Sequence, residues 1–98
     1  MYDIRFTKQA QKDAVKAERS GLKNKAAEII RTIRNDPYEE SQDFEILKHD
    51  LKGACSRRIN RQHRFVYEVL PNADRRTDAS GEPYKGVVKI IRMWTHYE

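Results

Sequence analysis

The hydrophobic pattern of this chain changes its period twice, and the order of those periods restricts the fold more than any other feature. Residues 2–6 alternate between apolar and polar side chains, as one-sided strands do. Residues 22–33 instead carry an apolar residue every three or four positions, which is the spacing of one helix face. The alternation returns at residue 44. The pattern therefore predicts a strand, a helical block and then a series of strands.

Two helices are predicted in the helical block. Thr7 is a suitable N-cap for a first helix that runs to about Arg19, and Gly21 ends it. The second helix ends at Asp36, because a following proline disfavours the α conformation. The faces that should pack inward carry small and aliphatic side chains: Ala10, Ala14 and Ala17 in the first helix, and Leu22, Ala26, Ile29 and Ile33 in the second. The short link between them predicts an αα-hairpin.

Four further strands are predicted after the hairpin, over residues 44–47, 56–59, 63–70 and 86–94. An acidic connector, residues 36–45, leads into the first of them, and a long loop at residues 71–86 precedes the last. Helices gathered in one block against a mostly antiparallel four-strand segment make a two-layer α+β fold, with a meander in the later strands. The 98 residues allow one domain, spanning 1–98.

The positive charge is concentrated in a basic segment, residues 48–64. This segment has a formal net charge of +5, equal to that of the whole chain, so the remaining basic and acidic residues balance. Its cations are Lys48, Lys52, Arg57, Arg58, Arg61 and Arg64. A localised basic patch on an open sheet face would form a concave positive surface for a phosphate-bearing partner such as RNA. The alternative is a solvated basic face without a specific partner.

Several classes of function are disfavoured by what the sequence lacks. Cys55 is the only cysteine, and His49, His63 and His96 have no metal-ligand spacing, so we expect no metal. There is no Gly-rich phosphate loop, and we expect no cofactor. The sequence has no apolar run long enough to span a membrane and no signal-peptide pattern, so we expect a cytoplasmic protein. Cys55 itself is interpreted as a small core residue.

An acid–base site without metal is the remaining chemistry. Glu45 precedes the basic segment, and His96 and Tyr97 follow the last strand. A carboxylate base, phosphate-binding cations and an imidazole acid are the groups needed to cleave RNA through its own 2′-OH. The alternative is that Glu45 is an ordinary exposed strand residue and that His96 has no role.

Four motifs give the sequence a resemblance to a known family. They are LKHDLKG at residues 47–53, SRRI at 56–59, HRFVYEV at 63–69 and THY at 95–97. In this order and spacing they resemble the YoeB/Txe group of RelE-like toxins. The resemblance implies a RelE-like, microbial-RNase-type fold and the toxin of a bacterial type II toxin–antitoxin pair. It implies metal-independent cleavage of mRNA by a toxin bound in the ribosomal A site, where the 16S rRNA is its partner. It also implies neutralisation by a YefM-like antitoxin. A homodimer is left open.

The resemblance also assigns roles to individual residues. It implies that Glu45 is the general base, His96 the general acid and Arg64 the transition-state cation. Tyr97 would stack on a base or orient the phosphate, and Lys48 and Arg58 would bind phosphate. Two further cations of the basic segment, Arg57 and Arg61, are added to the expected RNA-binding set.

Three departures from the family pattern and two rival functions stay open. Ala54 and Cys55 stand where relatives often have bulky aromatic residues, the loop 71–86 is longer than in many relatives, and Glu98 follows the closing motif. One rival is a ParE-like toxin that poisons DNA gyrase, against which Glu45 and His96 argue. The other is an RNA-binding module without catalysis.

Overall fold

The computed structural model describes residues 1–48 and 53–95, which form one sheet with two helices. The helices are α1 (Lys8–Arg19) and α2 (Lys23–Asn35). The strands are β1 (Asp3–Phe6), β2 (Glu45–Ile46), β3 (Cys55–Arg58), β4 (Arg64–Leu70) and β5 (Val87–Thr95). The order of elements is the predicted one, and the fold is α+β.

The five strands form a single sheet in the order β1-β5-β4-β3-β2. Each of the pairs β2–β3, β3–β4 and β4–β5 is antiparallel, which confirms the predicted meander. The first strand, β1, pairs in parallel with the last, β5. Periodicity could not reveal this pairing, because it identifies strands and not their partners. The two helices carry the chain from β1, at one edge of the sheet, to β2 at the opposite edge, and the meander then returns until β5 lies beside β1.

Local sequence signals set the ends of both helices. The Thr7 hydroxyl accepts the backbone N–H of Ala10 at 3.0 Å, as an N-cap does. Gly21 follows α1 with a positive φ of 78°, a conformation that costs glycine little. α2 ends at Asp36, whose backbone N–H bonds the Thr32 carbonyl and whose own backbone is extended before Pro37. The predicted helix boundaries are therefore confirmed.

The main hydrophobic core lies between the helices and one face of the sheet. Its buried members are Ala10, Ala17, Ala26, Ile29, Ile33, Cys55, Ile59, Phe65, Tyr67, Val88, Ile90 and Met93. A smaller cluster on the opposite sheet face contains Leu47, Ala54 and Val66, with Ile91 packed against it. Side chains that alternate along β3 and β4 therefore divide between a helix-covered face and an open face.

Two segments differ in detail from the sequence-based expectation. β2 has only two residues, Glu45–Ile46, whereas a strand over residues 44–47 was predicted. The loop 71–86 contains several turns and an isolated bridge between Thr77 and Pro83. Its end is tied back to the start of the chain by a 2.9 Å bond from the Lys85 N–H to the Met1 carbonyl. None of the helices described here is long and apolar enough to cross a membrane.

Candidate active site

The open face of the sheet brings together side chains from β2, β3 and β4. Glu45 lies opposite Ser56 in the register of β2 and β3, and Arg58 lies opposite Arg64 in that of β3 and β4. Because side chains alternate across a strand, these four point away from the helices. We call Glu45, Ser56, Arg58 and Arg64 the open-face cluster. It contains three of the residues that sequence reasoning placed in the site.

Arg64 is the best-fixed member of the open-face cluster. Its side chain is only 6% exposed. Its Nε donates to the Ser56 hydroxyl at 2.8 Å, and its Nη2 donates to the backbone carbonyl of Asp43. The same Nη2 lies 3.8 Å from the Glu45 carboxylate. Burial lowers the pKa of the Arg64 guanidinium. The negative charges of Glu45 and Asp43 counter this shift, and the positive charge of Arg58 adds to it. The guanidinium is thus a partly desolvated cation, held beside a carboxylate.

Arg58 is the exposed cation of the cluster. Its Nε donates to the Asp43 carboxylate at 2.8 Å, and its Nη1 donates to the Arg61 carbonyl at 3.0 Å. Its side chain is 44% exposed. An exposed planar guanidinium can bind a phosphate through two parallel hydrogen bonds. Arg58 is therefore accessible for the predicted role.

The expectation that Arg57 binds phosphate does not fit its position and is corrected here. Arg57 points to the helix-covered face and is fully buried. It donates from Nη2 to the carbonyls of Pro37 and Glu39, from Nη1 to that of Ser41, and from Nε to the Tyr67 hydroxyl. These bonds attach the acidic connector to β3. The sequence shows only a pair of adjacent arginines, and strand alternation separates them into a structural residue and a site residue.

The other predicted site residues lie at different depths. The Glu45 side chain is 63% exposed, which leaves its carboxylate accessible to a substrate proton. Lys48 follows buried Leu47 and is exposed, as is Arg61 in the turn between β3 and β4. Both are accessible to solvent. The predicted general acid His96, together with Tyr97 and Glu98, lies outside the described residues, as do His49 and Lys52.

The end of β5, which leads to His96, is shaped by a buried carboxylate on α1. Asp13 is fully buried and accepts hydrogen bonds from the backbone N–H of Met93 at 3.0 Å and of Trp94 at 3.3 Å. It also forms a 2.7 Å ion pair with Arg92. The β4–β5 register shifts twice in this stretch, and such irregularities re-aim the side chains that follow. The Trp94 ring stacks on the His63 ring at 3.9 Å.

Sequence reasoning missed Ser56 and Asp43, both of which hold Arg64, and Asp13, which binds the end of β5. Alternation could have indicated Ser56, since it lies two residues before Arg58 in the predicted strand 56–59 and therefore shares its face. Nothing in the local pattern marks Asp43 or Asp13, because their partners are distant in sequence. Among residues 1–48 and 53–95, no three His, Cys, Asp or Glu side chains could together hold a metal ion.

Ala54 and Cys55 occupy opposite faces of the sheet beside the site. Cys55 belongs to the main core, and burial raises the pKa of its thiol, which disfavours a nucleophilic thiolate. Its interpretation as a small core residue is confirmed. Ala54 packs with Leu47 and Val66 under the open face. The small residue at this position therefore fills a minor apolar cluster next to Ser56.

Comparison with known proteins finds a matching family. Residues 6–97 match the family described as the YoeB-like toxin of bacterial type II toxin–antitoxin systems. The toxin YoeB of Escherichia coli O6:H1 is 49% identical over 49 residues, which are half of this chain and 58% of that relative. The match thus spans less than two thirds of the curated relative.

Two solved structures from Staphylococcus aureus share the fold over almost the whole chain. A YoeB dimer superposes with a TM-score of 0.72 at 28% identity and covers 98% of both chains. A YoeB–YefM complex superposes with a TM-score of 0.69 at 29% identity and covers 99% of both. The predicted fold class and family are confirmed: this chain belongs to the YoeB-like toxin family of bacterial type II toxin–antitoxin systems.

Proposed function

We propose that this chain is a metal-independent endoribonuclease that cleaves mRNA in the ribosomal A site. The observation that carries the proposal is the 3.8 Å approach of the Glu45 carboxylate to the Arg64 guanidinium, on the open sheet face. A base beside a desolvated cation is what transesterification needs. The base removes the 2′-OH proton, and the cation stabilises the extra charge on the phosphorane.

Each remaining group has one task in this reaction. Arg58 and Lys48 bind the phosphates on either side of the cleaved bond, and Arg61 adds positive charge at the edge. His96 protonates the departing 5′-oxygen, a role suited to a group that titrates near neutrality. Tyr97 orients the phosphate or stacks on a base. The 2′-oxygen forms a new bond to phosphorus as the bond to the 5′-oxygen breaks, which leaves a 2′,3′-cyclic phosphate and a 5′-OH.

We propose an antitoxin as the second partner. The S. aureus relative is found in a complex with YefM. The proposed activity of this chain must be blocked in a growing cell, and a partner bound over the open-face cluster would block it. An acidic segment that orders on binding would cover the cationic face. The S. aureus dimer supports self-association as a further state of the free toxin.

A gyrase-directed toxin is the rival function. It would need no base at Glu45, and the Glu45–Arg64 approach would then be an incidental surface contact. A non-catalytic RNA-binding module would also use Arg58 and Lys48 without Glu45. The three functions therefore differ in what loss of the Glu45 carboxylate does to RNA that is already bound.

The test is single-turnover cleavage of mRNA on pre-bound ribosomes. Glu45→Gln keeps size and polarity but cannot take a proton, so the rate should fall by roughly 10²–10⁴-fold with little change in binding. Glu40→Gln, which removes an equal charge from the acidic connector, is the matched control and should cleave at the parent rate. EDTA should matter only through its effect on the ribosome.

Two outcomes would overturn the proposal. One is a Glu45→Gln protein that cleaves as fast as the parent. The other is a product with a 5′-phosphate and a 3′-OH, since attack by the 2′-OH cannot give those ends. A substrate with 2′-deoxy at the cleaved position should bind and stay intact. Inhibition of gyrase by the parent protein, with no RNA cleavage, would favour the rival.

A further inference from the structure

Gln42 and Asp43 form an unusual turn beside the open-face cluster. Both have φ of 54°, in the left-handed region that non-glycine residues seldom enter. Consecutive residues in this region persist only where their surroundings hold them. Here the Gln42 carbonyl accepts the backbone N–H of Arg58 at 2.9 Å, and the Gln42 amide donates to the Thr32 hydroxyl at 3.2 Å. The turn is thus fixed to both β3 and α2.

This turn places two oxygens of Asp43 on the two arginines of the site. The backbone carbonyl accepts from Arg64, and the carboxylate accepts from Nε of Arg58 at 2.8 Å. The two contacts differ in kind. The first is to a buried guanidinium and is part of the fixed structure. The second is between side chains that are 67% exposed for Asp43 and 44% exposed for Arg58, so water and solutes can reach it.

The Asp43 carboxylate occupies a position on Arg58 that suits a phosphate oxygen. Carboxylate and phosphate bind guanidinium with the same geometry, so one can replace the other. The pair lines an open cavity of about 270 Å³ together with Lys25 and Asn60, which leaves room for an entering phosphate. Asp43 and Glu45 also balance the formal charges of Arg58 and Arg64. An incoming phosphodiester therefore meets a locally neutral site.

We propose that the Asp43 carboxylate is an intramolecular substitute for RNA phosphate on Arg58. It holds the guanidinium oriented in the free protein and is displaced when a phosphodiester binds. Exposed ion pairs contribute little, so the exchange is easy and reduces affinity only modestly. The inference rests on the proposed phosphate-binding role of Arg58, and it makes Asp43 a residue that tunes RNA affinity.

Asp43→Asn isolates the carboxylate from the turn. Asparagine tolerates the left-handed conformation and keeps the backbone carbonyl that Arg64 uses. The probe is a short labelled single-stranded RNA with 2′-O-methyl groups throughout, which cannot be cleaved. Asp43→Asn should bind it about two- to fivefold more tightly at low salt, the range expected when an exposed ion pair no longer competes. The matched control Glu40→Gln removes the same charge from the acidic connector without touching the pair.

A double-mutant cycle and a spectroscopic measurement complete the test. In an Arg58→Gln background, Asp43→Asn should no longer change the affinity for the probe. In the parent, addition of the probe should shift the Arg58 Nε–Hε NMR signal away from its position in the Asp43 pair. Equal tightening by Glu40→Gln, weaker binding of Asp43→Asn, or an undiminished effect in the Arg58→Gln background would each overturn the inference.

The same measurements separate this inference from the proposed function. Because the probe cannot be cleaved, its affinity reports on phosphate exchange alone. Tighter binding by Asp43→Asn, in a protein that never cleaves mRNA, would keep the inference and reject the enzyme. Cleavage that depends on Glu45, with a probe affinity indifferent to Asp43, would do the reverse.

Discussion

Arg57 and Arg58 are adjacent on β3, and their guanidinium groups lie on opposite faces of the sheet. Arg57 is buried with its donors bonded to backbone carbonyls and a tyrosine hydroxyl, whereas Arg58 bonds one carboxylate and one carbonyl near solvent. Hydrogen bonds from a charged donor are stronger than those between neutral groups. The stability of the connector therefore depends on Arg57, while Arg58 stays accessible to solvent.

Substitution of the two arginines should separate stability from binding. Arg57→Met should lower the free energy of unfolding by at least about 1.5–3 kcal/mol, because the connector loses the charged hydrogen bonds that attach it to β3. Arg58→Met should change it by less than about 0.5 kcal/mol, as is usual at exposed positions. Urea unfolding measures both. Equal stabilities for the two variants would contradict the structural role of Arg57.

Arg64→Lys should impair cleavage although it keeps the charge. The planar guanidinium bonds Ser56 and the Asp43 carbonyl in two directions while it lies beside Glu45, and an ammonium cannot reproduce that geometry. A displacement of about 1 Å in such a site costs roughly 10²-fold in rate. Single-turnover cleavage measures the effect. Ser56→Ala, which removes one of the two bonds, should lie between Arg64→Lys and the parent protein.

At the level of single residues, the sequence indicated the candidate site residues but not the residues that hold them in place. Glu45, Arg58 and Arg64 were indicated by motif and charge, and strand alternation does bring them to one face. The roles of Asp43 and Ser56 were not predicted, because both residues act through hydrogen bonds with Arg64, which is 21 and 8 residues away from them, respectively. Local patterns carry no information about such long-range hydrogen bonds.

Between elements, α1 and β5 are joined by one buried carboxylate. β1 ends at Phe6, so among the residues that the structure describes no strand lies beside the edge of β5 beyond Ile90. α1 covers that edge instead: the Thr7 hydroxyl donates to the Ile91 carbonyl, and Asp13 accepts the N–H groups of Met93 and Trp94. Backbone groups that a shorter strand leaves unpaired are thus satisfied by a helix.

The Asp13 carboxylate should make stability depend on pH in the acid range. Burial alone would raise its pKa, but hydrogen bonds from Arg92, Gln9 and the Met93 N–H outweigh it, so its pKa lies below the usual value. A lowered pKa in the folded state stabilises the protein above the ordinary pKa, and the contribution is lost as the pH falls through the lowered value. We expect Asp13→Asn to be about 1.5–3 kcal/mol less stable at neutral pH.

The pH dependence of that difference is the sharper measurement. The gap between parent and Asp13→Asn should shrink as the pH falls below about 4, since the parent carboxyl then also loses its charge. Glu18→Gln, at an exposed position on the same helix, is the control and should show no such convergence. A gap that stays constant from neutral to strongly acid pH would show that the charge of Asp13 is not what matters.

At the scale of the whole molecule, the excess charge should govern RNA binding. Affinity for single-stranded RNA should fall steeply with salt, because neutralised phosphates release counterions. Arg58→Gln should reduce the slope of log affinity against log salt by about 0.7, the value for one phosphate contact on a single strand. Lys12→Gln, which removes a cation from α1 instead, should leave the slope nearly unchanged. An identical slope for the parent and Arg58→Gln would show that Arg58 makes no phosphate contact in the complex.

The overall architecture was predictable because helices and strands each have their own hydrophobic period in the sequence. The helix ends follow from local residues such as Thr7 and Asp36. The meander and the two-layer arrangement follow from the order of the elements along the chain. The parallel β1–β5 pair and the double register shift in β5 were not predictable, since both depend on how distant segments meet. Sequence patterns establish which residues face inward, and packing decides which strands become neighbours.

The position of β5 also determines when the sheet can first be complete during synthesis. β5 lies inside the sheet, hydrogen-bonded to β1 on one side and to β4 on the other, yet among the described strands it is the last to leave the ribosome. Until then β1 has no strand to pair with, and the edge that Asp13 binds is missing. A nascent chain of this toxin therefore emerges with its sheet incomplete. The strands that carry the open-face cluster are synthesised before the sheet around them can be complete.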